Sequence, residues 1–222
     1  MENIFILNKA TDPDVIGADY PQCVGVLKAY DNTYENKKSL YYFAHYKGKY
    51  VQFVPDLGSI KISTKAKLTD IVSCSMGPGN DLIVSPRMCE LLAEYKTSDI
   101  QIFDCVLTKK GVTYKYYWLH FIYSLEKKVD YKRSILNHVD PKLRSAASEI
   151  SSFDQFDDFY NTRDEYGLVY SSKLTLKSNK LDFFLVGRMN QKIYLSERLK
   201  NEIQKCELTG IEFEIAHGIG FV

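Results

Sequence analysis

The chain has 222 residues, 45% of them hydrophobic and 26% charged, and its 29 basic and 28 acidic side chains leave a formal net charge of +1. A chain of this length buries a substantial core without disulfide or metal staples, and its composition excludes intrinsic disorder. The near-zero balance argues against duplex nucleic-acid binding, where phosphate neutralisation calls for a basic excess.

The 17 Tyr and 12 Phe lean toward β structure, because aromatic rings pack well on a pleated, half-buried surface. Tyr also suits interfaces, since its rigid ring carries a polar handle. The five cysteines, Cys23, Cys74, Cys89, Cys105 and Cys206, are odd in number and widely spaced, with no C-x-x-C pair. Reduced, buried thiols are the expectation, not a disulfide framework or a zinc knuckle. The opening Met1-Glu2-Asn3 and the short apolar run Ile4–Leu7 lack the pattern of a secretory signal. No apolar run approaches the roughly 20 residues of a membrane helix. A cytoplasmic location follows as the expectation.

In chain order, Ile4–Leu7, Cys23–Ala29, Leu40–His45 and Tyr50–Val54 read as short strands separated by Asp-Pro, Asp-Asn and Lys-Gly turns. Asp70–Cys74 is another. After the turn Gly77-Pro78-Gly79-Asn80, the strand Leu82–Val84 leads into Ser85-Pro86. There Ser85 can cap a helix, and Pro86 has no N–H to leave unsatisfied at its first position. Met88, Leu91 and Leu92 keep helical spacing, with an end near Tyr95. Ile100–Leu107 returns to strand. Tyr114–Leu125, apolar on both alternating faces, predicts a central strand covered on both sides. A second helix is predicted from Asp140-Pro141, with Leu143, Ala146, Ala147 and Ile150 on one face. The acidic stretch Glu149–Glu165 follows. Strands at Leu181–Val186 and Ile193–Leu195, a helix from Ser196 and a strand at Ile211–Ile215 complete the chain.

An internal echo runs through this order. Leu82-Ile83-Val84-Ser85-Pro86-Arg87-Met88 parallels Ile193-Tyr194-Leu195-Ser196-Glu197-Arg198-Leu199 at an offset of 111 residues, without gaps as far as Ile102 and Phe213. In both places a strand meets a Ser-capped helix and then another strand. The fold expected is therefore α+β, mainly antiparallel β with a few helices. It forms one structural unit over residues 1–222, built from two related strand-helix-strand halves, 1–125 and 126–222.

Chemical signatures are weak. Asp154, Asp157 and Asp158 could supply the paired carboxylates of a hydrolase, but their spacing sets no buried carboxyl against an exposed one, and a solvated acidic run is the expectation. His45, His120, His138 and His217 show neither zincin spacing nor a flanking Cys; His120, inside an apolar strand, reads as a hydrogen-bonded core histidine. Ser85 and Ser196 lack the glycines of a nucleophile elbow, and Gly77-Pro78-Gly79 lacks the Lys-Ser/Thr of a phosphate loop. No catalytic residue, metal site or cofactor is assigned, and a binder is expected over an enzyme. The basic and aromatic segment 127–133, with Lys127, Lys128, Tyr131, Lys132 and Arg133, offers a single-strand nucleic-acid mode, interrupted by Asp130 and flanked by Glu126.

The stretch Ile193–Leu199, followed by Leu208-Thr209-Gly210-Ile211-Glu212-Phe213, resembles the C-terminal signature of a bacterial polymorphic-toxin immunity family, the immunity-eleven family. Lys67-Leu68-Thr69-Asp70-Ile71-Val72 is similar to its first half. Tyr117-Trp118-Leu119-His120 and Val129-Asp130-Tyr131-Lys132-Arg133-Ser134 resemble its central element. The resemblance covers roughly residues 60 to 215; Glu214-Ile215-Ala216-His217 departs from the Pro often found there. It implies a non-enzymatic protein that binds and neutralises a cognate toxin domain. Many such toxins have basic active-site clefts, so an acidic surface would suit the contact and speed association. The interface expected on that reasoning is Asp154, Asp157, Asp158, Asp164 and Glu165.

Overall fold

The computed structural model describes residues 3–27, 35–77, 79–139, 146–162, 168–177 and 180–222. Its elements are β1 (Ile4–Lys9), α1 (Pro13–Ile16), β2 (Cys23–Val26), α2 (Leu40–Phe43), β3 (Ser59–Ile62), β4 (Ile71–Val72), β5 (Leu82–Val84), α3 (Pro86–Ala93), β6 (Ile100–Lys109) and β7 (Val112–Phe121). There follow β8 (Ile135–Val139), β9 (Ala146–Ile150), α4 (Phe153–Thr162), β10 (Leu168–Leu176), β11 (Phe183–Gly187), β12 (Asn190–Ser196), α5 (Glu197–Lys205), β13 (Ile211–Ile215) and β14 (Ile219–Phe221). The fold is α+β and mainly antiparallel. The strands form one sheet in the order β2-β3-β6-β7-β5-β4 and two of four strands, β11-β12-β1-β13 and β14-β10-β8-β9.

These sheets are two renderings of one plan. In the first, β7 lies between β5 and β6, with Leu119 opposite Leu82 on one side and Ile102 on the other. In the second, β1 lies between β12 and β13, with Leu7 opposite Ile193 and Phe213. Leu82 to Ile193 and Ile102 to Phe213 are the same step of 111 residues, so register as well as order repeats. The outer strands repeat too. The end of β6 pairs in parallel with β3, which pairs antiparallel with β2; β14 pairs in parallel with β10, which pairs antiparallel with β8. The first of the expected halves, 1–125, therefore lends a strand to the second, 126–222. The first copy has its own hairpin partner β7, while the second takes β1 from the N-terminus.

Side-chain alternation along the two inserted strands builds three apolar layers. Trp118 of β7 faces a core with Phe43, Ile60 and Ile83. Leu119 and Leu7 face a middle core between the sheets, with Met88, Leu92, Leu199 and Ile203 from the two helices. Ile6 of β1 faces a third core with Phe184, Tyr194, Leu136 and Phe156. Both inserted strands are thus covered on both faces, as the apolar run 114–125 predicts for β7.

The helix caps fasten the copies together. Ser85 Oγ accepts from Met88 N (3.2 Å) and donates to Asp70 Oδ1 (2.6 Å). The other carboxylate oxygen of Asp70 accepts from the backbone N (2.9 Å) and hydroxyl (3.1 Å) of Thr209, which follows α5. In the second copy, Ser196 Oγ accepts from Leu199 N (3.2 Å) and donates to Asp182 Oδ1 (2.7 Å). Asp182 Oδ2 then accepts from Arg198 Nη2 (2.7 Å) and from the N–H of Lys96 (3.2 Å), which follows α3. Each aspartate thus secures its own helix start and the segment after the other helix. Gly210 allows one of these approaches: its φ is +82°, and a Cβ there would lie 2.2 Å from the Ile71 carbonyl oxygen. The helices run antiparallel, since Arg87 Nη2 donates to Cys206 O (2.6 Å) and the Arg198 guanidinium stacks on Tyr95 (4.7 Å).

Three expectations are corrected. Leu40–His45 is helical, as α2 and a 3-10 turn over Ala44–Tyr46, because Ser39 caps Tyr42 N and puts Leu40 and Phe43 into the core at a helical step. Tyr50–Val54 is not a strand; Val51 N donates to the Gln101 side chain instead of to a neighbouring strand. Ala146–Ile150, predicted as helix, is β9 and extends the sheet beside β8, with Ile150 opposite Leu136; residues 140–145 lie outside the described set.

Ser85→Ala removes one cap and should lower stability by about 1 kcal/mol. Asp70→Ala removes the support of that cap and both Thr209 bonds, so it should cost clearly more in urea unfolding. Equal losses would mean that the contact between copies contributes nothing.

Candidate binding surface on helix α4

Helix α4 carries most of the acidic residues singled out from the sequence. Ser152 starts it: the Ser152 hydroxyl accepts from Gln155 N (3.1 Å), and the Gln155 side chain accepts from Ser151 N (2.8 Å). Asp154 in the first turn complements the positive end of the helix dipole. Phe156 is fully buried, with Phe153, Phe159 and Tyr160 half-buried against the third core. The opposite face holds Asp154 and Asp158, one turn apart and both exposed. Asp164 and Glu165 lie outside the described residues.

Asp157 has a different role. Its carboxylate accepts from Arg188 Nη2 at 2.9 Å. The same guanidinium grips Glu126 through Nε (2.9 Å) and Nη2 (2.7 Å), and the Arg188 backbone N–H also donates to Glu126. Arg188 stacks over Tyr160 (4.3 Å) and Phe156 (5.1 Å), so one side chain joins α4 to the β11–β12 turn and the 3-10 helix Ser124–Lys128. Burial opposes the Arg188 charge, but the Glu126 and Asp157 carboxylates outweigh it and raise its pKa further. Gly187 is required beside it: its φ is +141°, and a Cβ would meet Glu126 Oε1 at 2.4 Å. Glu126 is only 3% exposed, and stranding such a charge without its partner costs about 3–5 kcal/mol. Asp157 therefore ties the acidic face of α4 to the fold while its side chain stays 39% exposed, beside the exposed Asp154 and Asp158.

Beside α4 lies a cleft of about 560 Å³, closed opposite by residues 45–49 and lined by Lys47, Lys49, Lys127, Phe153, Tyr160 and Arg188. The basic segment 127–133 borders it. Lys127, Lys128, Lys132 and Arg133 are exposed. Lys127 sits over the Phe153 ring (5.6 Å), and buried Asp130 draws Arg133 (3.9 Å) and Lys177 (4.0 Å) toward itself. Tyr131 packs against the third core with its hydroxyl turned to the Glu126 carbonyl (3.5 Å). Its ring does not form an open stacking platform.

His120 is fully buried, as expected for a core histidine. Its Nε2 faces the Lys49 carbonyl oxygen (2.8 Å) and its Nδ1 faces Asp81 Oδ2 (2.8 Å), which also accepts from Trp118 Nε1 (2.7 Å). Lys49 O can only accept, so Nε2 carries a proton, and the Nδ1 contact needs a second proton on one of its two atoms. Burial opposes the His120 charge, but the Asp81 bond prevails and raises the imidazole pKa; burial likewise raises that of Asp81. Both shifts keep the shared proton in place.

Sequence reasoning did not find the Glu126–Arg188 or Asp81–His120 pairs. The partners lie 62 and 39 residues apart, and the only local signal was a charged residue bordering an apolar run. Among the described residues no cluster of three or more His, Cys, Asp or Glu could hold a metal ion, and no helix is long and apolar enough to cross a membrane. Neither a scan of protein-family models nor a search of curated proteins found a match for this chain. The resemblance to the immunity-eleven family rests on the residues quoted for it.

The His120 pair gives stability a pH dependence. A raised folded-state pKa contributes stability that is fully present below the unfolded imidazole value of about 6.5 and is lost as pH rises through the folded value. Proton NMR of the His120 ring should place its titration above the unfolded imidazole value of about 6.5, and unfolding free energy should fall over the same range. A His120 titration at or below the unfolded value would contradict the shared-proton geometry.

Proposed function

We propose that the chain is a non-enzymatic immunity protein that binds a basic toxin domain through the exposed acidic face of α4 and so neutralises it. The observation that carries the reading is the placement of Asp154 and Asp158 one turn apart on a helix whose other face is fixed by Phe156 and by the Arg188 bridge. A rigid acidic face loses little conformational freedom on docking and steers a basic partner electrostatically.

The family resemblance supports the same reading in a specific way. Ser196, Arg198 and Thr209, which carry much of it, all belong to the fastening between the copies. The likeness therefore concerns the scaffold, and residues that face a partner have to be sought elsewhere. The cleft beside α4 adds aromatic edges at Phe153 and Tyr160, the residue type that anchors protein interfaces. The alternative, an oligonucleotide platform on 127–133, has less support because Tyr131 is packed inward and Asp130 partly neutralises the cluster.

The test is co-expression with the toxin domain encoded beside this gene, followed by purification of the complex. The wild-type chain should rescue growth and form a stoichiometric complex. Asp154→Lys with Asp158→Lys should slow association at least about tenfold at low salt while leaving the unfolding midpoint nearly unchanged. Full protection and unaltered association by the double variant would remove α4 from the interface. Absence of any complex with wild type would remove the immunity reading itself.

A further inference from the structure

Two cysteines meet at the edge of the first core. Cys23 N donates to Ser73 O (3.1 Å), Gln22 N to Ser73 Oγ (2.9 Å), and Ser73 N to the Gln22 side-chain oxygen (2.9 Å), so the start of β2 and the residues after β4 are clamped side by side. The Cys23 and Cys74 side chains lie in one core beside this clamp, near enough for each thiol to shift the pKa of the other, and Cys105 packs in the same core. All are free thiols. Cys74 is the most exposed of the three, at 9% against 5% for Cys23 and 1% for Cys105. It lines a cleft of about 590 Å³ between the two copies, together with Lys9, Ser75, Asn80 and Lys192. Lys9 reaches across from β1, and its ammonium donates to Asp81 O at 3.0 Å.

We propose that Cys23 and Cys74 form a redox pair, which a hydroperoxide entering the cleft beside Lys9 converts into an intramolecular disulfide. The residues divide the work between attack and resolution. The Cys23 hydrogen bond, a backbone hydrogen bond from Met76 and the Lys9 charge favour the Cys74 thiolate and hold its pKa below the ordinary thiol value against the opposing effect of burial. Cys23 keeps its proton, because donation to Cys74 and burial push its pKa up. In the first step the Cys74 thiolate attacks the outer peroxide oxygen, the O–O bond breaks, and the leaving alkoxide takes up a proton and departs as the alcohol. Cys74 is then a sulfenic acid, oxidised by two electrons. In the second step Cys23 attacks that sulfur, the S–O bond breaks, and the hydroxide leaves as water with the Cys23 proton. Two thiols and one hydroperoxide thus become one disulfide, one alcohol and one water.

The proposal is independent of what α4 binds. It gives the edge strand β2 a covalent tie to the residues after β4, made or broken by the redox poise of the surroundings.

The test uses the full chain treated with hydrogen peroxide and mapped by peptide mass after alkylation under denaturing conditions. The expected product is a Cys23–Cys74 linked peptide, two hydrogens lighter than the free pair and reversed by dithiothreitol, with Cys105 still alkylatable. Cys23→Ala should leave Cys74 as a sulfenic acid trapped by dimedone, while Cys74→Ala should leave Cys23 unoxidised. Lys9→Met should slow disulfide formation about tenfold through the smaller thiolate fraction. Recovery of both Cys23 and Cys74 as free thiols in treated wild-type protein would overturn the proposal, and that result needs no variant to fold. So would a disulfide formed instead through Cys89 or Cys206, or oxidation of Cys23 at an unchanged rate in Cys74→Ala.

Discussion

Asp70 and Asp182 hold the structure together in the same way from opposite sides. Each accepts the hydroxyl proton of the serine that caps its own copy's helix, and each accepts a backbone N–H from the segment that follows the other copy's helix. Charge-assisted bonds of this kind are shorter and roughly twice as strong as neutral ones, and both carboxylates are buried deeply enough to make an unfilled position costly. Asp182 shows the balance directly: burial opposes its ionisation, yet the Arg198, Ser196 and Lys96 bonds together hold its carboxyl below the usual range. Neither helix start can be completed without placing the other copy, so the middle core of Met88, Leu92, Leu199 and Ile203 forms in one arrangement.

Buried charge is used the same way elsewhere. Arg188 is the hub between Glu126 and Asp157, and it converts an acidic helix on the surface into a fixed feature of the fold. His120 and Asp81 share a proton that ties residues 46–49 to β7, and those residues form the far wall of the cleft beside α4. Buried pairs are weak devices for stability but effective ones for selecting a single geometry. Here each selects the position of a surface element, as the partner-binding role proposed for α4 requires.

The local chemistry of this fold was legible in the sequence, and the long-range pairing was not. Ser85-Pro86 announced α3 because capping needs only neighbouring residues, and the echo at 111 residues marked the second strand-helix-strand unit. The two apolar faces of β7 could be read from alternation alone. By contrast, nothing local in Ile4–Lys9 indicates that it completes the distant copy, since its partners lie far along the chain, Ile4 opposite Ser196 and Phe5 opposite Ile215. Leu40–His45 misled because its aromatic content favours strand while Ser39 and the 40/43 spacing favour helix; the buried step of three won. Ala146–Ile150 gave the opposite error: its residues suit a helix, yet the segment pairs with the edge of β8, with Ile150 opposite Leu136. At the candidate surface, composition located the acidic stretch, but only packing separates Asp157, bound to Arg188, from Asp154 and Asp158, which face solvent.

In this fold β1 is to the second copy what β7 is to the first. A circular permutant tests this most directly: the chain begins at Thr11, and residues 3–10 follow Val222 through a short glycine-rich linker. If the copies are equivalent, the transplanted strand becomes a hairpin partner for the β13–β14 end, as β7 is for β6. The permutant should then unfold in urea as cooperatively as the parent, with the amides of residues 5–9 protected from exchange. Loss of that protection, or a chain that melts like a simple deletion of β1, would contradict the equivalence.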